Sequence, residues 1–160
     1  MKEEYTQRLN ECLDELKKIK ARIDANCFDD MVAFLQRYAI IKSCGTIEYV
    51  VKNIISDFVE QGAKVEISAY ITKNVRESSS NPKTGLISDL LGNFSSEIWK
   101  KKFDEEIKNM NEEKASLNSL VQLRNDFAHG KSPNTSIATI INYYNASCLV
   151  IDLVDKIINV

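Results

Sequence analysis

The stretch "MVAFLQRYAIIKSCGTIEYVVKNIISDFVEQG", residues 31–62, is apolar almost all the way round a helical wheel. Because such a helix must be covered on several sides, the stretch predicts the central helix of a bundle. Residues 42–48, "KSCGTIE", interrupt it with small and polar side chains. Gly45 costs roughly 1 kcal/mol in a helix interior relative to alanine. We therefore interpret Gly45 as a point of close packing.

The segments on either side of this stretch also have helical periodicity. The N-terminal segment places apolar residues three or four positions apart, at Tyr5, Leu9, Cys12, Leu16, Ile19 and Ile23. Further helices are predicted at about 65–76, 86–91, 96–110 and 112–128, and from Ile137 to the last residue, with a loop at 77–85, "ESSSNPKTG". Glycine (5) and proline (2) are scarce in 160 residues, which disfavours β-rich folds. We predict one all-α domain, an antiparallel helical bundle over residues 1–160.

Composition excludes several classes of protein. The formal net charge is -2, so any nucleic-acid contact must come from a local patch and not from a general basic surplus. The four cysteines form no CxxC pair and there is a single histidine, so we expect no metal and no cofactor. The charged N-terminus and the lack of an 18-residue apolar run predict a cytoplasmic protein without a membrane partner. We therefore interpret Cys44 and Cys148 as reduced thiols that fill space in the core.

The stretch "LVQLRNDFAHGKSPN", residues 120–134, contains that single histidine, His129. Gly130 is suited to end the helix in a left-handed turn, after which Asn134, Thr135 or Ser136 can cap the last helix. On an ideal helix, Asn125 and His129 are one turn apart, and Asp126 flanks His129 from the other side.

Arg124 lies about 140° from His129 around the same ideal helix. The two side chains meet only if the helix end unwinds or if both reach a shared ligand. Histidine exchanges protons near neutral pH, and arginine holds phosphate with two parallel hydrogen bonds. Together they are a minimal set of groups for cleaving RNA through its own 2′-hydroxyl. The residues alone are also compatible with an alternative, in which His129 only interacts favourably with the negative end of the helix dipole.

The segment "LRNDFAHG" resembles the signature of HEPN domains, in which arginine is followed after four to six residues by histidine. The RNxxAHG form, with the apolar helix carrying "GTIE" upstream and an amphipathic helix behind it, is similar to the RiboL-PSP-HEPN group. The resemblance covers residues 30–160, and residues 1–25 are interpreted as an added N-terminal helix of the same domain.

This resemblance implies a dimeric helical bundle in which two motifs face each other. It further implies a metal-independent endoribonuclease, acting as a toxin or an effector of antiviral defence on single-stranded or loop RNA such as tRNA anticodons. Arg124 and His129 would be the catalytic pair and Asn125 a supporting residue. Helix geometry adds Asp126 to the supporting residues. An antitoxin or a defence-system protein is an expected partner.

Two further residues are candidates for the site. Lys131 is a candidate RNA contact, with a solvated loop lysine as the alternative, and Glu48 is a candidate acid that orients Arg124, with a solvent-facing side chain as the alternative. The pattern departs from HEPN toxins that are silenced on a tyrosine close behind the histidine, because the next tyrosines here are Tyr143 and Tyr144. Two other functions stay open: a non-catalytic HEPN module that binds RNA, nucleotide or protein, and a structural oligomerisation bundle.

Overall fold

The computed structural model describes residues 1–95, 97–131 and 135–159, and these form seven α-helices. They are α1 (Glu3–Ala25), α2 (Met31–Val59), α3 (Val65–Ile71), α4 (Thr84–Ser95), α5 (Ile98–Glu106), α6 (Asn111–Ala128) and α7 (Ile137–Ile158). A π-helical turn, Thr72–Arg76, continues α3, so the predicted helix at 65–76 is two elements. The prediction of a single all-α domain is confirmed.

Helix α2 packs against α1, α6 and α7, as its apolar sequence predicts. Contacts between chain ends show that α1 is antiparallel to both α2 and α7. Tyr5 at the start of α1 donates a hydrogen bond to Asp57 near the end of α2, and the Met1 amino group is 2.6 Å from the carboxylate of Asp155 near the end of α7. Helices α2 and α7, which also pack against each other, therefore run in the same direction, and α1 is antiparallel to both.

The core gathers the apolar faces of the bundle helices into one cluster. Its largest fully buried side chains are Tyr144, Phe103, Leu16, Ile40, Ile47, Ile55, Leu91, Leu117, Leu120, Ile140, Ile151 and Ile158. Each such leucine or isoleucine stabilises the fold by about 1.5–3 kcal/mol relative to an exposed position. Cys44 is a core filler, as predicted: its thiol lies 3.5 Å from the Leu120 carbonyl oxygen, and burial raises its pKa to about 12.

Two expectations about α2 need correction. One face of its first part is not covered, since Met31, Phe34, Tyr38 and Ile41 are each about half exposed; we call these four residues the exposed stripe. Gly45 is not a point of close packing either, because a Cβ atom built on it meets no described atom within 4 Å. Burial of α2 begins only at Ala39, where α1, α6 and α7 surround it.

Helix α7 is long and apolar enough to cross a membrane by length and composition alone. Its apolar side chains are accounted for by the bundle, since Ile140, Tyr144, Ile151 and Val154 are fully buried against other helices. Its first turn is capped as predicted, with Ser136 Oγ accepting a hydrogen bond from the Thr139 backbone N–H at 3.1 Å. The alternative cap, residue 134, lies outside the described residues.

A charged cluster fastens the π-helical turn to the bundle. Arg76 lies 2.8 Å from a carboxylate oxygen of Asp57 and 2.8 Å from one of Glu60, and it also donates to Asn53. Lys2 and Tyr5 donate to the same Asp57. Burial alone would raise the pKa of Asp57, but these hydrogen bonds outweigh it and lower the pKa below its ordinary value.

Candidate active site

Helix α6 ends in a turn that fixes the position of His129. The backbone N–H of Gly130 bonds to the Phe127 carbonyl, and that of Lys131 bonds to the Asp126 carbonyl, both at 2.9 Å. This pair of bonds is the Schellman motif. Gly130 supplies the required left-handed conformation with a φ of 80°. The predicted helix end is confirmed, and the helix stays wound up to Ala128, so the side chain of the exposed His129 leaves from an intact terminus.

Arg124 is held by a residue that the sequence interpretation missed. Its guanidinium donates a hydrogen bond to Asn81 Oδ1, and Asn81 Nδ2 donates to Asn125 Oδ1 at 3.0 Å. A guanidinium can only donate, so this contact fixes which end of the Asn81 amide faces Arg124. Asn81 therefore joins the two polar residues at the start of the motif and orients both.

Asn81 belongs to the loop of residues 77–83, which we call the anchored loop. Glu48 Oε1 accepts from the Ser80 backbone N–H at 2.8 Å and from Lys52 Nζ at 2.6 Å. Lys52 also donates to the Ser78 carbonyl. The Lys52 side chain is only 5 % exposed, so these hydrogen bonds replace those that its ammonium group would make with water. Two charged residues of α2 thus hold the backbone on which Asn81 stands.

Glu48 is therefore connected to Arg124 in an indirect way. Its carboxylate contacts Lys52 and the anchored loop, and the loop in turn presents Asn81 to Arg124. It does not point freely to solvent, since its side chain is 16 % exposed. Glu48 therefore anchors the loop at Ser80, and the next residue, Asn81, contacts Arg124.

Asp126 and Lys131 pair with each other at the end of α6. Their charged atoms are 3.0 Å apart, and Gln122 donates to the same carboxylate oxygen at 3.0 Å. The hydrogen bonds from Lys131 and Gln122 lower the pKa of Asp126. Lys131 is 69 % exposed, so this is a surface pair of small energetic value.

An additional cation lies beside the motif. The Arg37 guanidinium is 5.4 Å from the ring centre of Phe127 in the motif and 5.7 Å from that of Phe34 in the exposed stripe. Such contacts of arginine with aromatic rings stabilise by about 0.5–1 kcal/mol at exposed sites. Arg37 therefore lies between the exposed stripe and the motif and contacts both.

The structure thus brings Arg124 and Asn125 together and keeps Asp126 with Lys131. Asn81 and Lys52 are the residues that the sequence did not reveal. Asn81 lies 43 positions before Arg124 in a polar loop, where no periodicity points at a partner. Among the described residues, no group of three or more histidine, cysteine or acidic side chains is placed to hold a metal ion.

The chain was compared with models of known protein families. A family model described as RiboL-PSP-HEPN matches residues 3–160, which includes helix α1. No curated protein and no solved structure matches the chain significantly.

Proposed function

The chain belongs to the RiboL-PSP-HEPN family, and we propose that it is a metal-independent endoribonuclease that cuts single-stranded or loop RNA, such as tRNA anticodons. Membership by itself indicates a nuclease or RNA-related function in general terms. The observation that supports endoribonuclease activity in particular is at the end of α6, where an oriented Arg124 and an exposed His129 lie within one short segment. RNA loops suit such a site because their backbones are splayed and reachable, unlike those of a duplex.

The chemistry needs a base, a cation and an acid. His129 accepts the proton of the 2′-hydroxyl, whose oxygen attacks the adjacent phosphorus. Arg124 stabilises the charge that develops on the phosphate oxygens. The bond from phosphorus to the 5′-oxygen breaks, and that oxygen takes a proton from an acid. The products are a 2′,3′-cyclic phosphate and a 5′-hydroxyl.

One histidine cannot serve easily as base and acid in the same turnover, so we propose a homodimer in which two copies of the motif face each other. The exposed stripe supports this arrangement, because Phe34 is 58 % exposed and Met31 is 53 % exposed. Contiguous apolar surface of this kind marks interaction sites in soluble proteins. Through Arg37 the stripe reaches Phe127 in the motif, so a copy packed on it lies next to the site.

In the cell we propose a role as a toxin or an effector of antiviral defence, in the cytoplasm, with an antitoxin or a defence-system protein as partner. The second candidate is a non-catalytic HEPN module that binds RNA, nucleotide or protein. Two observations favour it: the net charge of -2, and the engagement of Arg124 by Asn81 in the structure. In that case the arginine would have a structural role.

The test is to incubate the purified protein with total RNA in EDTA and to map the ends of the fragments. We expect fragments ending in 2′,3′-cyclic phosphate from the wild type, and a loss of at least about a hundredfold in Arg124→Ala and His129→Ala. Arg22→Ala is the matched control, because Arg22 is an exposed arginine on α1. It should cut like the wild type.

Cutting that survives in both motif variants would contradict the proposal, since it would come from a contaminant or another site. RNA binding without cutting, equal in the wild type and His129→Ala, would favour the non-catalytic module.

A further inference from the structure

A cavity of about 200 Å³ lies beside the anchored loop, between α2, the π-helical turn and α4. Its apolar walls include Val51, Val75, Leu86 and Leu90, and its polar groups include the amides of Asn74 and Asn93. Apolar walls with a few oriented polar groups are what a site for a small planar molecule requires.

Asn81 connects this cavity to the motif. Asn81 is one of the residues that line the cavity, and its side chain accepts the hydrogen bond from Arg124. A nucleotide whose phosphate is held by Arg124 therefore has its ribose and base within reach of the cavity mouth. Single-stranded RNA can place a base there, because its bases are splayed out and free to enter protein pockets.

Resting on the proposed ribonuclease function, we propose that the cavity receives the base of the nucleotide next to the cleaved phosphate and so sets the sequence preference of the enzyme. The aliphatic side chains cover the two faces of the base, and the polar groups meet its edge.

The acceptors at the cavity favour bases that carry an exocyclic amino group, because Lys52, a cation in the same lining, already donates to Glu48 and to the Ser78 carbonyl. The Asn74 amide nitrogen is already bonded to the Tyr70 carbonyl at 2.9 Å, which leaves its oxygen as an acceptor. Asp89 places a carboxylate at the rim of the cavity, and one oxygen of this carboxylate forms an ion pair with Lys100. Acceptors recognise exocyclic amino groups, which adenine, cytosine and guanine have, whereas uracil offers only its single ring N3–H as a donor. Uridine is therefore the disfavoured nucleotide.

The experiment measures binding separately from cutting. The probes are four 2′-O-methyl homopentamers, of A, C, G and U, which lack the attacking hydroxyl and cannot be cut. Their dissociation constants are measured with the wild type, with Leu86→Trp, which fills the cavity, and with Leu149→Trp. Leu86 and Leu149 are 47 % and 48 % exposed, so the second variant is a matched control on α7. The four-base cleavage pattern on a mixed RNA is recorded for the same proteins.

We expect the U probe to bind the wild type about tenfold more weakly than the tightest of the others. Leu86→Trp should reduce binding of the favoured probe about tenfold and remove the difference between bases, and Leu149→Trp should leave both unchanged. Asn74→Ala should narrow the gap between U and the other probes.

Probes that bind the wild type and Leu86→Trp with the same base preference would overturn the proposal, as would a wild type that binds none of them. Either result is distinct from a failure of the ribonuclease proposal, which would show as a wild type that does not cut RNA in EDTA. Cutting by the wild type with an unchanged pattern in Leu86→Trp would leave a ribonuclease whose preference comes from elsewhere.

Discussion

At the scale of single residues, the motif depends on a side chain from a distant loop. Arg124 is a flexible cation on a helix surface until Asn81 accepts its hydrogen bond, and the same amide holds Asn125 at 3.0 Å. Phosphate recognition needs the guanidinium in a fixed direction, because misplacement by about 1 Å costs an enzyme about a hundredfold in rate. Asn81 is therefore a positioning residue for the proposed reaction.

We expect Asn81→Ala to lower kcat for RNA cutting at least about tenfold, because Arg124 loses its fixed direction. Asn118→Ala is the matched control. Asn118 lies on α6 and holds the segment that follows the anchored loop: its Oδ1 accepts from the Thr84 backbone N–H at 3.2 Å, and its other hydrogen bonds also go to Thr84. Kinetics and thermal unfolding are measured for both variants.

The two variants should lose similar stability, about 1 kcal/mol, and only Asn81→Ala should lose kcat. Equal losses of kcat in the two variants would show that Asn81 acts only by holding the loop.

At the scale of elements, helix starts and ends follow local chemistry. The Schellman turn after α6 requires the φ of 80° at Gly130, and Ser136 caps α7 through its hydroxyl. The sequence predicted the turn at Gly130 and indicated Ser136 as one of three candidate caps, since both features depend on residues within a few positions. Gly45 is different: a glycine inside a helix suggested close packing, but the space around it is open. Packing is set by neighbours that are distant in sequence.

The two glycines should respond in opposite directions to alanine. Gly45→Ala should raise the free energy of unfolding by about 1 kcal/mol, because alanine favours the helix and a Cβ meets no described atom within 4 Å. Gly130→Ala should lower it by about 1 kcal/mol, because an L-residue is strained at positive φ. Urea unfolding of the two variants beside the wild type measures both. A change of the same sign in both variants would contradict this interpretation of the backbone.

At the scale of the whole molecule, charged residues join parts of the chain that are far apart in sequence. Asp57 collects hydrogen bonds from Lys2, Tyr5 and Arg76, and so ties the start of α1 and the π-helical turn to the end of α2. The anchored loop leaves from this turn, so the cluster and the Glu48–Lys52 pair hold it from two sides. The exposed stripe, in contrast, is an apolar surface that no other part of the single chain covers.

The Asp57 cluster predicts a defined loss of stability in acid. The pKa of Asp57 in the folded chain lies below its ordinary value of 3.8, so its contribution is fully present above that value and disappears as the pH falls through the folded pKa. Asp57→Asn should therefore be less stable than the wild type by about 2 kcal/mol near pH 7, and the difference should shrink as the pH falls below 3.8. Urea unfolding across this range measures the difference.

Asp24→Asn is the control for this measurement, because Asp24 is a 56 % exposed partner of Lys20 on α1. Its difference from the wild type should be small at every pH. A pH-independent difference for Asp57→Asn would exclude ionisation as the cause.

The exposed stripe predicts the oligomeric state. We expect the wild type to sediment as a dimer, and Phe34→Glu to weaken association more than about tenfold and to reduce RNA cutting with it. Leu149→Glu introduces the same charge at a leucine of comparable exposure on α7 and should remain a dimer. Sedimentation velocity and the EDTA cleavage assay measure the two effects. A wild type that sediments as a monomer would contradict the composite site.

The sequence by itself determined the all-α class, the central place of α2, the helix end at Gly130 and the motif residues Arg124 and His129. These depend on periodicity and on neighbours within a turn or two, so they can be read along the chain. The tertiary structure alone decided that Asn81 orients Arg124, that Glu48 and Lys52 hold the loop beneath it, and that a cavity lies beside them. Those contacts join residues 26 to 43 positions apart, and polar loop residues carry no periodic signal of their partners.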